Sequence, residues 1–127
     1  MTCEQLWRKK IRTIFHNLKG RAKKKQVKLP FLFVDFLLWL NNQPQLCTYC
    51  GIPLTPNDVS LDHKMPVSRL GSWDLDNYVL CCLSCNLAKH DLTNSEFQEL
   101  NNLIRNWPPY ARVRLLARLR YAGSAFR

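Results

Sequence analysis

Two cysteine pairs constrain this chain more than any other feature: Cys47-Thr48-Tyr49-Cys50 and Cys82-Leu83-Ser84-Cys85. Each CxxC turn can aim two thiolates at one ion, and four thiolates complete a tetrahedral zinc shell. Such a shell has no open position, so this zinc is expected to hold structure and not to perform chemistry. A thioredoxin-like redox pair needs only one CxxC and leaves the second without a purpose. Cys81 can replace Cys82 only by breaking the two-residue spacing, and Cys3 and Cys81 read as ordinary small side chains. The 31 residues between the pairs exceed a plain zinc ribbon and leave room for a hairpin and loops.

The compartment supports metal over disulfides. Met1 to Lys10 is polar and no apolar stretch with a small-residue cleavage site follows, which predicts a cytoplasmic protein, or one of a host's cytoplasm if the chain is virus-encoded. The most apolar run, Leu29 to Leu40, is interrupted by Asp35 and too short to span a bilayer, so no membrane association is expected.

Charge is distributed unevenly. Residues 1–30 carry ten Lys and Arg against one acid, residues 31–92 three against six, and residues 93–127 six against two. The formal net charge of +10 favours a polyanionic partner. Basic flanks around a slightly acidic middle suit a protein that grips nucleic acid at its ends and holds a divalent cation at its centre.

Helix signals dominate those flanks. Thr2 and Gln5 form a capping-box pattern, followed by Trp7, Ile11, Ile14, Phe15, Leu18 and Ala22 at helical spacing. This predicts an amphipathic basic helix that ends near Gly20 or in the following lysines. After Pro30, the run Val34 to Leu40 predicts a buried helix stopped by Asn41, Asn42 and Pro44, with Asp35 at its start. Thr93 and Glu96 repeat the capping-box pattern ahead of a helix that presents Phe97, Leu100, Leu103, Ile104 and Trp107 and ends at Pro108 and Pro109. Tyr110 to Ala122 reads as a last helix closed by Gly123. Between Leu46 and Asp91 the helical period is lost, and strand-like pieces stand at Val59 to His63 and Tyr78 to Cys82.

The central interval also holds Asp62-His63, Asp74 and Asp76, Asn77 and, directly after the second cysteine pair, Asn86, Lys89 and His90. Phosphodiester hydrolysis needs a base to activate water, a hard cation near the developing charge, and oxygen ligands for that cation. His63, a metal, Asp62 and Asn86 supply those parts. Neighbours on a strand face opposite ways, so Asp62 and His63 are expected to need a bend or bulge to serve one site.

The order CxxC, DHxxP, Asn, CxxCNxxK, carried by Cys47, Cys50, Asp62, His63, Pro66, Asn77, Cys82, Cys85, Asn86 and Lys89, resembles the HNH endonucleases of the ββα-metal fold. The resemblance runs from Cys47 to about His90. Ser68-Arg69-Leu70-Gly71 matches the usual Gly-rich loop, with Leu70 where a glycine is often seen. It implies that His63 is the general base, that Asp62 and Asn86 hold one catalytic Mg²⁺ or Mn²⁺, and that Asn77 braces the loop and orients His63. It further implies cleavage to a 3′-hydroxyl and a 5′-phosphate. His90, one turn beyond Asn86, is an alternative metal ligand.

The expectation is therefore an α+β protein: a small ββα-metal centre stapled by one Cys₄ zinc, with helices at both ends. Residues 1–45 form a basic helical extension, 46–92 the catalytic core and 93–127 basic C-terminal helices, all in one compact domain. Arg69 and Lys89 are expected to face phosphate near the site. Lys19, Arg21, Lys23, Lys24, Lys25 and Lys28 and then Arg112, Arg114, Arg118 and Arg120 extend that track. The partner expected is DNA, double-stranded or branched. Two other readings remain: a zinc-dependent nucleic-acid-binding module without catalysis, and the nuclease subunit of a phage or restriction type of assembly, with a dimer also open.

Overall fold

The structure is a computed structural model and describes residues 1–125. Its elements in chain order are α1 (Cys3–Lys24), α2 (Phe33–Asn41), β1 (Val59–His63), β2 (Tyr78–Cys82), α3 (Leu83–Lys89), α4 (Asn94–Ile104) and α5 (Pro109–Ala125). This is an α+β architecture around one two-stranded antiparallel sheet. Among the described residues, no helix is long and apolar enough to cross a membrane.

Local chemistry sets the helix starts. The Thr2 hydroxyl accepts from the Gln5 amide at 3.1 Å while the Gln5 side chain accepts from the Thr2 amide at 2.8 Å, and Thr93 and Glu96 repeat this exchange at the start of α4. Two otherwise orphaned backbone donors are satisfied at each start. Asp35 does half of the same work for α2, accepting from the Leu32 amide at 2.8 Å. α1 does not stop at Gly20 but continues to Lys24, burying Leu18 and Ala22.

β1 and β2 pair residue for residue, from Val59 opposite Cys82 to His63 opposite Tyr78. One face of this hairpin lies under α3. The other meets an aromatic cluster in which Phe31 and Trp39 approach the Tyr78 ring at 6.2 and 6.4 Å, and Phe36 stands 5.5 Å from Phe15 of α1. The sheet is thus a thin layer between helices, and the core runs through it from Leu18 and Phe36 to Leu61, Leu80, Ala88 and Phe97.

Gly123 departs from the sequence expectation. It does not close α5 but lies buried inside it, and a Cβ added there would stand 1.9 Å from the Leu87 carbonyl oxygen. The missing side chain lets α5 press directly on α3, the helix that carries Asn86, so the glycine serves close approach and not helix termination.

Candidate active site and metal centre

The four cysteines of the two CxxC pairs bring their sulfurs within 4.8 Å of one another. Cys50 and Cys82 sulfurs are 3.8 Å apart, close to the edge of a tetrahedron with metal–sulfur bonds of about 2.3 Å. Both turns are tied back by amides, from Cys50 to the Cys47 sulfur at 3.4 Å and from Cys85 to the Cys82 sulfur at 3.5 Å. Negative charge gathers on Cys47, whose thiol is drawn down to about 4, chiefly by a hydrogen bond from Cys85; that same bond pushes Cys85 up, and burial raises Cys82 to about 11. Four crowded sulfurs ionise together only around a cation. The donor set fits a structural zinc. Cys3 is exposed and Cys81 is buried in the core, so neither joins the cluster.

A second link, besides Cys82 at the end of β2, ties the cysteine cluster to the hairpin. Tyr49, inside the first CxxC, donates its hydroxyl to Asp62 at 2.5 Å. Lys89 of α3 stands 3.2 Å from both carboxylate oxygens of Asp62 and donates to the His63 carbonyl at 3.0 Å. Asp62 is 6% exposed and Lys89 1%. Lys89, expected to face phosphate, therefore turns its ammonium inward, because a buried carboxylate demands a partner. Burial and the Asp62 charge raise the Tyr49 hydroxyl, which keeps it a donor.

No bulge interrupts β1, so the expected bend between Asp62 and His63 is absent. Asp62 points under α3. His63 lies among the aromatic rings on the other side, 4.6 Å from Tyr78 and 5.0 Å from Trp73. Its imidazole is lowered to about 4, first by burial and then by the nearby charges of Arg21 and Lys89, so it is neutral near pH 7. Nε2 is buried without a hydrogen-bond partner among the described residues.

The two faces meet again at the sheet edge. A cavity of about 290 Å³ is lined by Asp62, His63, Asn86 and His90 on one side and by Arg21 and Lys24 of α1 and its C-cap Lys25 on the other. The Asn86 amide nitrogen donates to the Ser60 hydroxyl at 3.1 Å, which directs the amide oxygen away from the strand. His90, the α3 C-cap, adopts φ 47° and ψ −113°, a conformation that L-residues adopt at a cost, and it borders the same cavity. A carboxylate and an amide oxygen are donors of the kind that Mg²⁺ or Mn²⁺ prefers, and here the Asp62 carboxylate also meets Lys89 and Tyr49.

Asn77 stands outside this cavity and closes the loop after His63. Its side chain donates to the carbonyls of Met65 and Ser72 at 3.1 and 2.8 Å and accepts from the Met65 amide at 3.0 Å. In the same loop Gly71 has no room for a Cβ, and Leu70 adopts the left-handed φ of 66° that explains why glycine suits that position.

The remaining basic residues divide. Arg69 pairs with Glu96 and is not at the cavity. Lys19, Lys23 and Lys28 border a separate, more apolar groove beneath α1. Arg112, Arg114, Arg118 and Arg120 lie on α5 and are absent from the cavity walls. Sequence reasoning missed Tyr49, whose position inside a zinc turn carries no local sign of its contact with Asp62. It also missed Trp73 as a neighbour of His63. The spacing of Asn86 and Lys89, one helical turn apart, did place them on one face and could have suggested a shared direction.

Residues 47–92 match the family model described as HNH endonuclease. The chain is also 27% identical over 109 residues to the "SPbeta prophage-derived putative HNH endonuclease YoqL" of Bacillus subtilis (strain 168). That alignment covers 78% of this chain and 46% of the relative, so the chain spans about half of the relative's length. The matched segment contains both cysteine pairs, Asp62, His63, Asn77 and Asn86, and leaves out α1, α2, α4 and α5.

Proposed function

We propose, from the premise that residues 47–92 are an HNH endonuclease domain, that this protein is a metal-dependent nuclease that hydrolyses phosphodiester bonds in DNA. One observation carries the reading: a neutral, ring-packed His63 borders a cavity that also holds Asp62, Asn86 and a wall of basic side chains. A base must be unprotonated to accept a proton from water, and burial keeps this imidazole so.

His63 takes the proton of the attacking water, whose oxygen forms a bond to phosphorus as the bond to the 3′ oxygen breaks. Asp62 and Asn86 would hold the divalent ion, and His90, one turn away, would be a further ligand. Mg²⁺ or Mn²⁺ bound there supplies electrostatic stabilisation of the departing oxygen. Asn77 fixes the loop that follows His63, and Lys89 fixes the His63 carbonyl and Asp62 together. Arg21, Lys24 and Lys25 meet phosphates beside the site, a contact that favours affinity over sequence preference. The Cys₄ zinc holds the hairpin against α3. Duplex or branched DNA in a cytoplasm is the substrate in this reading.

Supercoiled plasmid incubated with Mg²⁺ or Mn²⁺ tests it. Relaxed or linear product with ligatable 5′-phosphate and 3′-hydroxyl ends, abolished by EDTA, is expected. The opposite end chemistry, or cleavage indifferent to EDTA, contradicts the mechanism. One observation favours a second reading: the Asp62 carboxylate is already neutralised by Lys89, as a zinc-dependent binding module without catalysis would permit. Tight DNA binding without cleavage under any divalent metal selects that reading.

A further inference from the structure

The cavity at His63 does not end there. A larger one, of about 510 Å³, lies between α1 and the hairpin and shares Arg21, Lys24, Leu61 and Asn86 with it. The two form one groove with His63 at one end. Its outer wall is one face of α1, where Lys10, Thr13, Asn17, the pair Gly20 and Arg21, and Lys24 follow one another at helical spacing. Its inner wall is uncharged and alternates Asn57, Ser60 and Asn86 with Val59, Leu61 and Leu83. Three cations and no acid line the larger chamber, and α1 lies outside the segment that matches the HNH model.

An elongated groove with cations along one rail fits a linear polyanion better than a compact ligand. Lys10 and Lys24 are separated by roughly 21 Å of helix at about 1.5 Å per residue. At about 3.4 Å per phosphate, that spans roughly six phosphates of a stacked strand. The uncharged amides and hydroxyl opposite offer hydrogen bonds to sugars and bases.

We infer that the nucleic-acid strand to be cut lies lengthwise in the groove between α1 and the β1–α3 unit, with α1 serving as its second wall from Lys10 to Lys24. This rests on the nuclease reading for what happens at His63, but the binding path stands on the groove itself.

Gly20 gives a test that does not disturb the fold. It lines the groove, and a Cβ added there meets nothing within 4 Å. Replacing a mid-helix glycine with Glu or Lys strengthens the helix. Gly20→Glu and Gly20→Lys are made in the full chain carrying His63→Ala, and binding of a fluorescein-labelled DNA strand and of the matching duplex is followed by anisotropy. The expected result is a loss of about tenfold or more in affinity for Gly20→Glu, with Gly20→Lys binding at least as tightly as its parent, because like charges repel in the groove. Both variants should melt at or above the parent temperature. Equal affinity for all three proteins, or no DNA binding by the parent, overturns the groove as the path. If the Glu and Lys variants separate as expected while the protein with His63 intact cuts nothing, the path stands and the nuclease reading falls.

Discussion

On the α3 face of the hairpin, Asp62 sits in a polar network with Tyr49 and Lys89, while Ser60 receives Asn86; on the opposite face, His63 lies among Trp73 and Tyr78, its Nε2 without a hydrogen-bond partner among the described residues. The first face is anchored by directional bonds and by the cysteine cluster, since Cys82 caps α3 and Cys85 lies within it. The second is held by aromatic packing against α1 and α2. Directional bonds fix position, and apolar surroundings fix protonation state. His63 receives one from each side, as the proposed general base requires: its carbonyl is tied to Lys89, and its imidazole is kept neutral by its buried surroundings.

The comparison breaks most visibly at the zinc. Cys82→Ser removes one sulfur of the cluster while leaving a hydroxyl that can still cap α3, and structural zinc contributes about 10–16 kcal/mol in small domains. The variant should lose its stoichiometric zinc and its cooperative melt, read by metal analysis and circular dichroism. Retention of one zinc per chain would place the ion on other ligands.

Next in size is the buried pair. Lys89→Met leaves the buried Asp62 carboxylate with the Tyr49 hydroxyl but without its Lys89 counter-ion, which should cost about 3–5 kcal/mol in urea unfolding. Adding Asp62→Asn removes the uncompensated charge, and the double variant should recover part of that loss. If Lys89→Met alone unfolds like wild type, the network is not what secures this face.

The aromatic face has a pH signature. His63 titrates near 4 when folded against about 6.5 when unfolded, so between those values the unfolded chain binds the extra proton. The stability of wild type relative to His63→Ala should be at its full value above about pH 6.5 and decline as pH falls towards 4. Zinc thiolates titrate in both proteins and drop out of the difference. A pH-independent difference would mean that the imidazole is not held neutral by its surroundings.

The smallest effect belongs to the loop that joins the faces. Leu70 is 95% exposed and left-handed at φ 66°, so Leu70→Gly relieves backbone strain without removing packing. The glycine also loses more entropy on folding, and a net stabilisation of no more than about 1 kcal/mol is expected in thermal melts. A loss above that size would show that the Leu70 side chain has a contact to lose.

Much of this was legible in the sequence, for local reasons. The capping boxes at Thr2 and Thr93, the two strands and the four-cysteine cluster follow from short-range patterns, and each stands where its residues place it. What the sequence hid was direction. Nothing local tells that Lys89 turns inward to Asp62, that Arg69 is taken by Glu96, or that α1 stands across from His63. Long-range partners decide these, and a charged residue reads the same in sequence whether it faces solvent or a buried counter-ion. Gly123 misled for a related reason: a glycine at a helix end and a glycine at a helix crossing share one letter.

The most direct test is the rate of plasmid nicking by wild type and His63→Ala, compared at equal zinc content and equal melting temperature. A positioned general base contributes about 10²–10⁴-fold, and a fall of that size in His63→Ala is the result predicted here. Equal nicking by the two zinc-loaded, folded proteins would contradict the assignment of His63 as the base.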